Sequence, residues 1–297
     1  MSKRILALAL TAMFVAPATH AAVLDGDDAV VSSTSGKFKD WSLSFFSLAS
    51  RPNMEEGKPD QKDRSIFAYN YLSTNYKVDS TQRYSLRVPF GYTSPGYNER
   101  GENKSEEFQM QDVHFVYSNY DWGYIGDVDL SGKVKFYLPT SKSTLDKKSI
   151  GYLKFEGYAD YTISRNWSIA YIAKPEIYLQ TQTSYINSNT GRASRTAIAE
   201  LEHYGQLQWD VHSMVSLQLK TGFNERWENS SAAQNLDGRH YTQFVYGAAA
   251  WIRVQRGLMF TLVVENQTEI GTIRGDSAKY GLPENTDYLL LTNIAIL

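Results

Sequence analysis

The 297-residue chain contains no cysteine. No disulfide staples its fold, and thiolate chemistry is excluded. Histidine is scarce too, at 5 residues. Those past the N-terminal segment, His114, His203, His212 and His240, are scattered and form no metal motif. Past residue 22 the sequence offers no apolar run of about 18 residues, so no helix is written to span a bilayer. Neither charge sign dominates: the formal net charge is −2, which gives nucleic acid no reason to bind. What the chain has in quantity is tyrosine, 21 residues, within an aromatic fraction of 13 %.

The first residues read as an export signal. Lys3 and Arg4 give a positive start, Ile5 to Val15 is an almost unbroken apolar run, and Pro17 to Ala22 is small and helix-breaking. Such a segment is too short to span a membrane as a helix and is cut after small residues, here Ala18 or Ala21. Residues 1–21 are therefore assigned to a signal peptide, 22–36 to a solvated N-terminal segment and 37–297 to one domain. Asp25-Gly26-Asp27-Asp28 looks like part of a calcium loop but lacks the glutamate that would complete it.

From Trp41 onward, apolar and polar residues alternate. In 152–161, Leu153, Phe155, Gly157, Ala159 and Tyr161 fall on one face, and Lys154, Glu156, Tyr158 and Asp160 on the other. Period two is the signature of a strand with one apolar and one wet face; a helix would mix the two sets. The same reading applies at 83–92, 128–138 and 215–224. Strands are expected at 38–51, 64–77, 82–93, 107–118, 123–140, 148–163, 166–183, 194–209, 213–227, 239–253, 257–270 and 286–297. Tight connections fall at Val78–Thr81, Asn119–Asp121, Ser164–Arg165, Asp210–His212 and Gln255–Arg256. Long polar ones fall at 52–63, 94–106, 141–147, 184–193, 228–238 and 271–285. Short and long strictly alternate, as they do between the two ends of an up-and-down barrel. Pro89 and Pro175 lie inside strands, where a missing donor calls for a bulge or kink. Trp41, Trp122, Trp167, Trp209 and Trp251 share the short-turn end. Trp227, Tyr92, Tyr97, Tyr137, Tyr185 and Tyr241 gather at the other. Amphipathic rings favour the headgroup level, so two aromatic belts are expected.

With these features the chain resembles the porin-like outer-membrane β-barrels of Gram-negative bacteria, of the roughly twelve-stranded size, over nearly all of 37–297. The resemblance implies an all-β, transmembrane, antiparallel up-and-down barrel in the outer membrane, with lipid and lipopolysaccharide as neighbours. The sequence departs from that pattern at its end, Asn293-Ile294-Ala295-Ile296-Leu297, where such proteins often close on an aromatic residue.

The wet faces carry the candidate pore-lining residues Arg83, Arg87, Lys133, Lys135, Lys154, Glu156, Asp160, Lys174, Glu176, Glu200, Glu202, Lys220 and Arg226. Asp112, Asp127, Asp129 and Glu265 are further acidic candidates. Lys174 and Glu176 face Glu200 and Glu202 on the next strand, beside Lys220. Such charges either line a water path or pair across strands in a narrow lumen. Gln180, Gln182, Gln206, Gln208, Ser216 and Gln218 are interleaved with them, which favours a narrow channel for small hydrophilic solutes with weak ion preference. The alternative is a closed barrel whose outer loops act as receptor, adhesin or structural element. A barrel enzyme stands third: His114 and Asp112 share a face at a spacing that suits a base and its orienter, without a serine motif. No enzyme activity and no cofactor are expected.

Overall fold

The computed structural model describes residues 40–52, 66–97, 103–186, 193–270 and 286–296. The signal-peptide assignment, the calcium-loop fragment and the long connections 53–65 and 271–285 lie outside them.

The chain forms strands β1 Trp41–Pro52, β2 Phe67–Lys77, β3 Gln82–Thr93, β4 Gly96–Tyr97, β5 Asn103–Lys104, β6 Glu107–Met110, β7 His114–Ile125 and β8 Val128–Tyr137. It continues with β9 Ser149–Ser164, β10 Trp167–Gln180, β11 Ser184–Ile186, β12 Ala193–Arg195, β13 Ala197–His212, β14 Val215–Glu228, β15 Arg239–Gln255, β16 Leu258–Ile270 and β17 Thr286–Ala295. Successive wall strands pair antiparallel, and β1 pairs with β17 from Ser44↔Ala295 to Pro52↔Asp287. The sheet is therefore closed. With β6 and β7 sharing one position beside β3, the wall has twelve strands, as the alternation predicts. Closure leaves no unpaired edge. The small hairpins β4–β5 and β11–β12 stand on the long connections. Among the described residues no helix is long and apolar enough to cross a membrane.

The break in the fourth wall strand has a local cause. Pro89 has no N–H for the ladder, and here β3 changes partner, from β7 through Arg87↔His114 to β6 from Phe90↔Met110. The Gln111 N–H donates to the Pro89 carbonyl at 3.0 Å instead. Asp112 leaves the ladder and accepts from the Thr140 and Ser141 N–H groups, at 3.0 and 2.7 Å, and from the Thr144 hydroxyl, at 2.8 Å. These bonds tie the 138–148 connection and its short helix, Lys142–Asp146, to the break. At Pro175, Lys174 and Pro175 drop out of the β9 ladder while staying paired to β13.

The expected turn at Asn119–Asp121 is not a turn. β7 runs on to Ile125, and the chain reverses at 126–127, where Gly126 has φ 63°. Asn119 and Asp121 do perform turn chemistry, accepting from the N–H groups of Asp121 and Gly123 at 3.0 and 3.2 Å. The product is a bulge, with register shifting between Asn119↔Gly132 and Gly123↔Leu130. Trp122 then lies over Gly132, where a Cβ would fall 2.2 Å from its ring. The last three tight turns sit one or two residues beyond the expected places, at 165–166, 213–214 and 256–257.

The two faces of the wall differ. Outward residues such as Leu72, Leu86, Phe115, Ile169, Leu219 and Leu262 are exposed, while the alternate positions are buried inside the barrel. Trp41 with Tyr76, and Trp167 stacked on Trp209 at 5.4 Å, decorate the outer face near the short turns. Three expected belt residues are not on it. Trp251 packs with the inward cluster of Phe46, Tyr71, Ala249, Val263 and Leu291. Tyr137 is stacked between His114 and Tyr152, and Tyr241 lies opposite inward Arg226. Ring type alone does not tell which face of a strand a residue takes; register does.

Candidate functional site on the inner wall

All thirteen expected charged residues fall on strands β3, β8, β9, β10, β13 and β14, on the face opposite the exposed apolar positions. The register sets two pairs of like charges directly opposite one another, Lys135 with Lys154 and Glu176 with Glu200. Direct like-charge neighbours repel, and the wall offsets this with opposite charges, diagonally for Lys135 and directly across the other neighbouring strand for Glu176 and Glu200. Lys135 pairs with Glu156 at 2.7 Å and Lys154 with Glu176 at 2.6 Å. Arg226 reaches Glu200 at 3.7 Å and Glu228 at 3.4 Å. The Tyr178 hydroxyl donates to Glu176 at 2.8 Å and to Glu200 at 3.4 Å, bridging two carboxylates.

A second network lies nearer the short turns. Glu202 stands between Lys174, at 3.3 Å, and Lys220, at 4.0 Å, and Lys220 also pairs with Glu265. Both ammonium groups rest on the ring of Tyr204, at 5.0 and 4.9 Å. Gly222 makes this possible: a Cβ there would sit 2.4 Å from the Tyr204 Cβ. Ring faces attract cations, so Tyr204 stabilises two lysines that would otherwise repel. Lys133 lies over Tyr158 at 5.6 Å, and Asp160 is buried on the same face. Arg83 and Arg87 form no basic track: each guanidinium is parked over a ring, Tyr120 at 5.2 Å and Tyr71 at 4.7 Å.

The other part of the inner wall is apolar, and sequence reasoning missed it. Phe46, Leu48, Tyr69, Tyr71, Ala249, Trp251, Val263, Leu289 and Leu291 form one cluster on β1, β2, β15, β16 and β17. A signal existed. Phe45-Phe46 and Leu289-Leu290-Leu291 put apolar side chains on both faces of their strands, so one set has to point inward. Between the two sectors is a cavity of about 300 Å³. Leu48, Tyr69 and Leu291 border it on one side, and Arg87, Lys135 and Lys154 on the other. A larger groove of about 820 Å³ runs over Gly205, Thr221 and Ala248 on the outer face. It belongs to the apolar exterior.

The expected pairing of His114 with the Asp112 carboxylate as base and orienter is not formed. The Asp112 carboxylate is taken up by the 140–144 backbone and Thr144, and His114 Nδ1 lies 3.1 Å from the Asp112 carbonyl oxygen instead. The spacing that suggested a base and its orienter is thus undone by the strand break. His203 turns outward, as its neighbours Leu201 and Leu207 suggest, with Nδ1 3.1 Å from the Tyr171 hydroxyl and Nε2 3.8 Å from Glu225. Among the described residues no three His, Asp or Glu side chains are grouped to hold a metal ion.

No protein-family model and no curated protein matches the chain. Solved structures do. The COG4313 outer membrane channel from Pseudomonas putida F1 superposes with a TM-score of 0.54 at 10 % identity, over 91 % of this chain and 98 % of that one. A KdgM porin gives a TM-score of 0.44 at 7 % identity, over 86 % and 99 %. The first likeness shows a shared barrel fold; the second is too low to add to it.

Proposed function

We propose that this chain is an outer-membrane barrel that works as a narrow passive channel for small hydrophilic solutes. The observation that carries the reading is the pairing of two opposite surfaces on one closed wall. The exterior is a continuous belt of exposed apolar side chains, Leu72, Leu86, Val88, Phe115, Ile169, Leu219, Leu262 and Val264 among them. Soluble monomers rarely expose apolar patches of that extent, and lipid is the solvent that suits them. The interior holds ion pairs, tyrosine hydroxyls and amides such as Gln206, Gln208 and Gln218. Water and hydroxylated solutes match such groups. The paired signs favour weak ion selectivity, because each ammonium of Lys135, Lys154, Lys174 and Lys220 has a carboxylate beside it. The first neighbour named above is described as an outer membrane channel, in keeping with this reading. Transport of this kind needs no cofactor.

Single-channel recording in planar bilayers tests the proposal, with Glu200→Gln/Glu202→Gln beside the native sequence. Stable steps whose size or ion preference shifts in the variant are expected. A well-folded, heat-modifiable barrel that gives no steps would overturn the channel and move attention to the outer loops as a receptor surface.

A further inference from the structure

We propose that the cavity between the charged and the apolar sector of the inner wall binds a small organic monocarboxylate with an apolar tail. That the site then selects what crosses the membrane rests on the channel reading; the binding itself does not.

The place of the cavity makes the first argument. Its lining is drawn from eight neighbouring wall strands, β17, β1, β2, β3, β7, β8, β9 and β10. A space bordered by eight of the twelve strands lies in the lumen and is no crevice between two of them. Tyr69, Lys154 and Glu176 stand in the halves of their strands nearer the long connections, so a solute entering from that end meets the cavity early. Its volume of about 300 Å³ is that of roughly ten water molecules. This admits one small molecule, at the lower end of the usual size of ligand sites.

Two chemistries meet on the lining. Leu48 and Leu291 form an apolar patch beside Phe46, which stacks on Tyr71 at 4.8 Å. Further round the wall, Tyr137 is stacked between His114 and Tyr152, and the two aromatic groups meet where the Tyr71 and His114 rings lie edge to face at 6.4 Å. The charges bordering the same space are Arg87, Lys135 and Lys154 against Glu156 and Glu176, an excess of one positive charge among the described residues. The two lysines hold the two glutamates, and each such contact engages one of the three N–H donors of an ammonium. Arg87 is buried, with its guanidinium over the Tyr71 ring. A guanidinium so placed still takes a carboxylate through the N–H groups of its edge. Buried cations attract an anion strongly, because their surroundings screen little. Arg87 and Lys135 thus match a carboxylate, and Leu48 and Leu291 match an apolar tail on the same molecule. A neutral sugar would bury hydroxyls against the leucines, and a hydrocarbon would gain nothing from the cations.

Three probes test the two-sided match. The full mature chain, refolded into lipid nanodiscs, is titrated with hexanoate, acetate and hexanol, and binding is read by saturation-transfer NMR with empty nanodiscs subtracted. Acetate keeps the charge without the tail; hexanol keeps the tail without the charge. Hexanoate is expected to bind about tenfold more tightly than either, the factor that goes with one charge-assisted hydrogen bond. Arg87→Met is expected to lower the hexanoate affinity about tenfold and to leave that of hexanol unchanged, with Arg87→Lys in between. Leu48→Trp, which fills the apolar side, is expected to weaken hexanoate and hexanol together. Heat-modifiable migration checks that each variant is folded. Acetate or hexanol binding as tightly as hexanoate would overturn the inference, and so would a hexanoate affinity that neither variant changes. Single-channel recording of the same chains separates the two readings. Hexanoate binding to a silent barrel removes the channel and keeps the site; a conducting barrel that does not bind hexanoate does the reverse.

Discussion

Replacing Glu202 by Gln removes the one carboxylate placed between Lys174 and Lys220. The three groups are 28 %, 3 % and 6 % exposed at their side chains. Loss of one partner from a fully buried pair costs about 3–5 kcal/mol, and from a surface pair about 0–1 kcal/mol. This site lies between those limits. Lys220 keeps Glu265, both lysines keep the Tyr204 ring, and Glu202 is more than a quarter open. We expect a loss of about 2 kcal/mol, roughly a 30-fold change in the folding constant. The assay is reversible urea unfolding in lipid, followed by tryptophan fluorescence, with a double-mutant cycle against Lys174→Met. Coupling of about 1–2 kcal/mol is expected, because Lys174→Met removes most of what Glu202 holds. The pair Arg239–Glu269 is the control: at 41 % and 36 % exposure it is expected to couple by no more than about 0.5 kcal/mol. Coupling at Lys174–Glu202 within about 0.3–0.5 kcal/mol of zero, the usual scatter of additivity, would refute the view that the inner network is held by these pairs.

Three further outcomes follow from the geometry. Gly222→Ala is expected to destabilise the barrel by about 1–3 kcal/mol through overpacking against Tyr204, whereas Gly205→Ala, with no atom within 4 Å, is expected to be tolerated; equal unfolding midpoints would contradict the packing described. Leu219→Arg, on the outer face, is expected to cost about 2–4 kcal/mol in a bilayer; a negligible cost there would argue against a lipid-facing exterior. Asp79, in the β2–β3 turn, accepts from the N–H and hydroxyl of Thr81 and the N–H of Gln82, at 2.7, 2.9 and 2.8 Å. The Thr81 N–H contributes most to holding its carboxyl below the usual carboxylate range. A depressed folded value means that its stabilisation is present above the unfolded value and is lost as pH falls through the folded one. NMR titration of the turn is expected to show a midpoint below that of an exposed aspartate, and Asp79→Asn to abolish it; an ordinary midpoint would remove the claim.

Much of this was legible in the linear chain. Alternation at period two places Leu153 and Phe155 outward and Lys154 and Glu156 inward whatever the strand's neighbours are, because side-chain direction along a strand is set by the backbone itself. The alternation of short and long connections orders the hairpins for the same local reason, and so twelve strands and an inward set of charges could be read without coordinates. Which charges meet was legible only in part: Lys174 and Lys220 were placed beside Glu202, but the other partners were not. Lys135 stands opposite Lys154 and yet pairs with Glu156, and Glu176 stands between Glu200 on one neighbouring strand and its partner Lys154 on the other; these outcomes depend on register between strands, which no single strand encodes. The same holds for Asn119–Asp121, whose side chains perform turn chemistry inside a bulge because Trp122 finds a place over Gly132 on the neighbouring strand. Closure of β1 on β17 brought Phe46 and Leu291 into one inward apolar cluster. The sequence by itself determined the faces of each strand and the sense of the hairpins, since both follow from local backbone geometry. Only the tertiary structure decided the ion pairs, the place of Tyr204 over Gly222 and the division of the inner wall into a charged and an apolar sector, since each depends on distances between residues far apart in the chain.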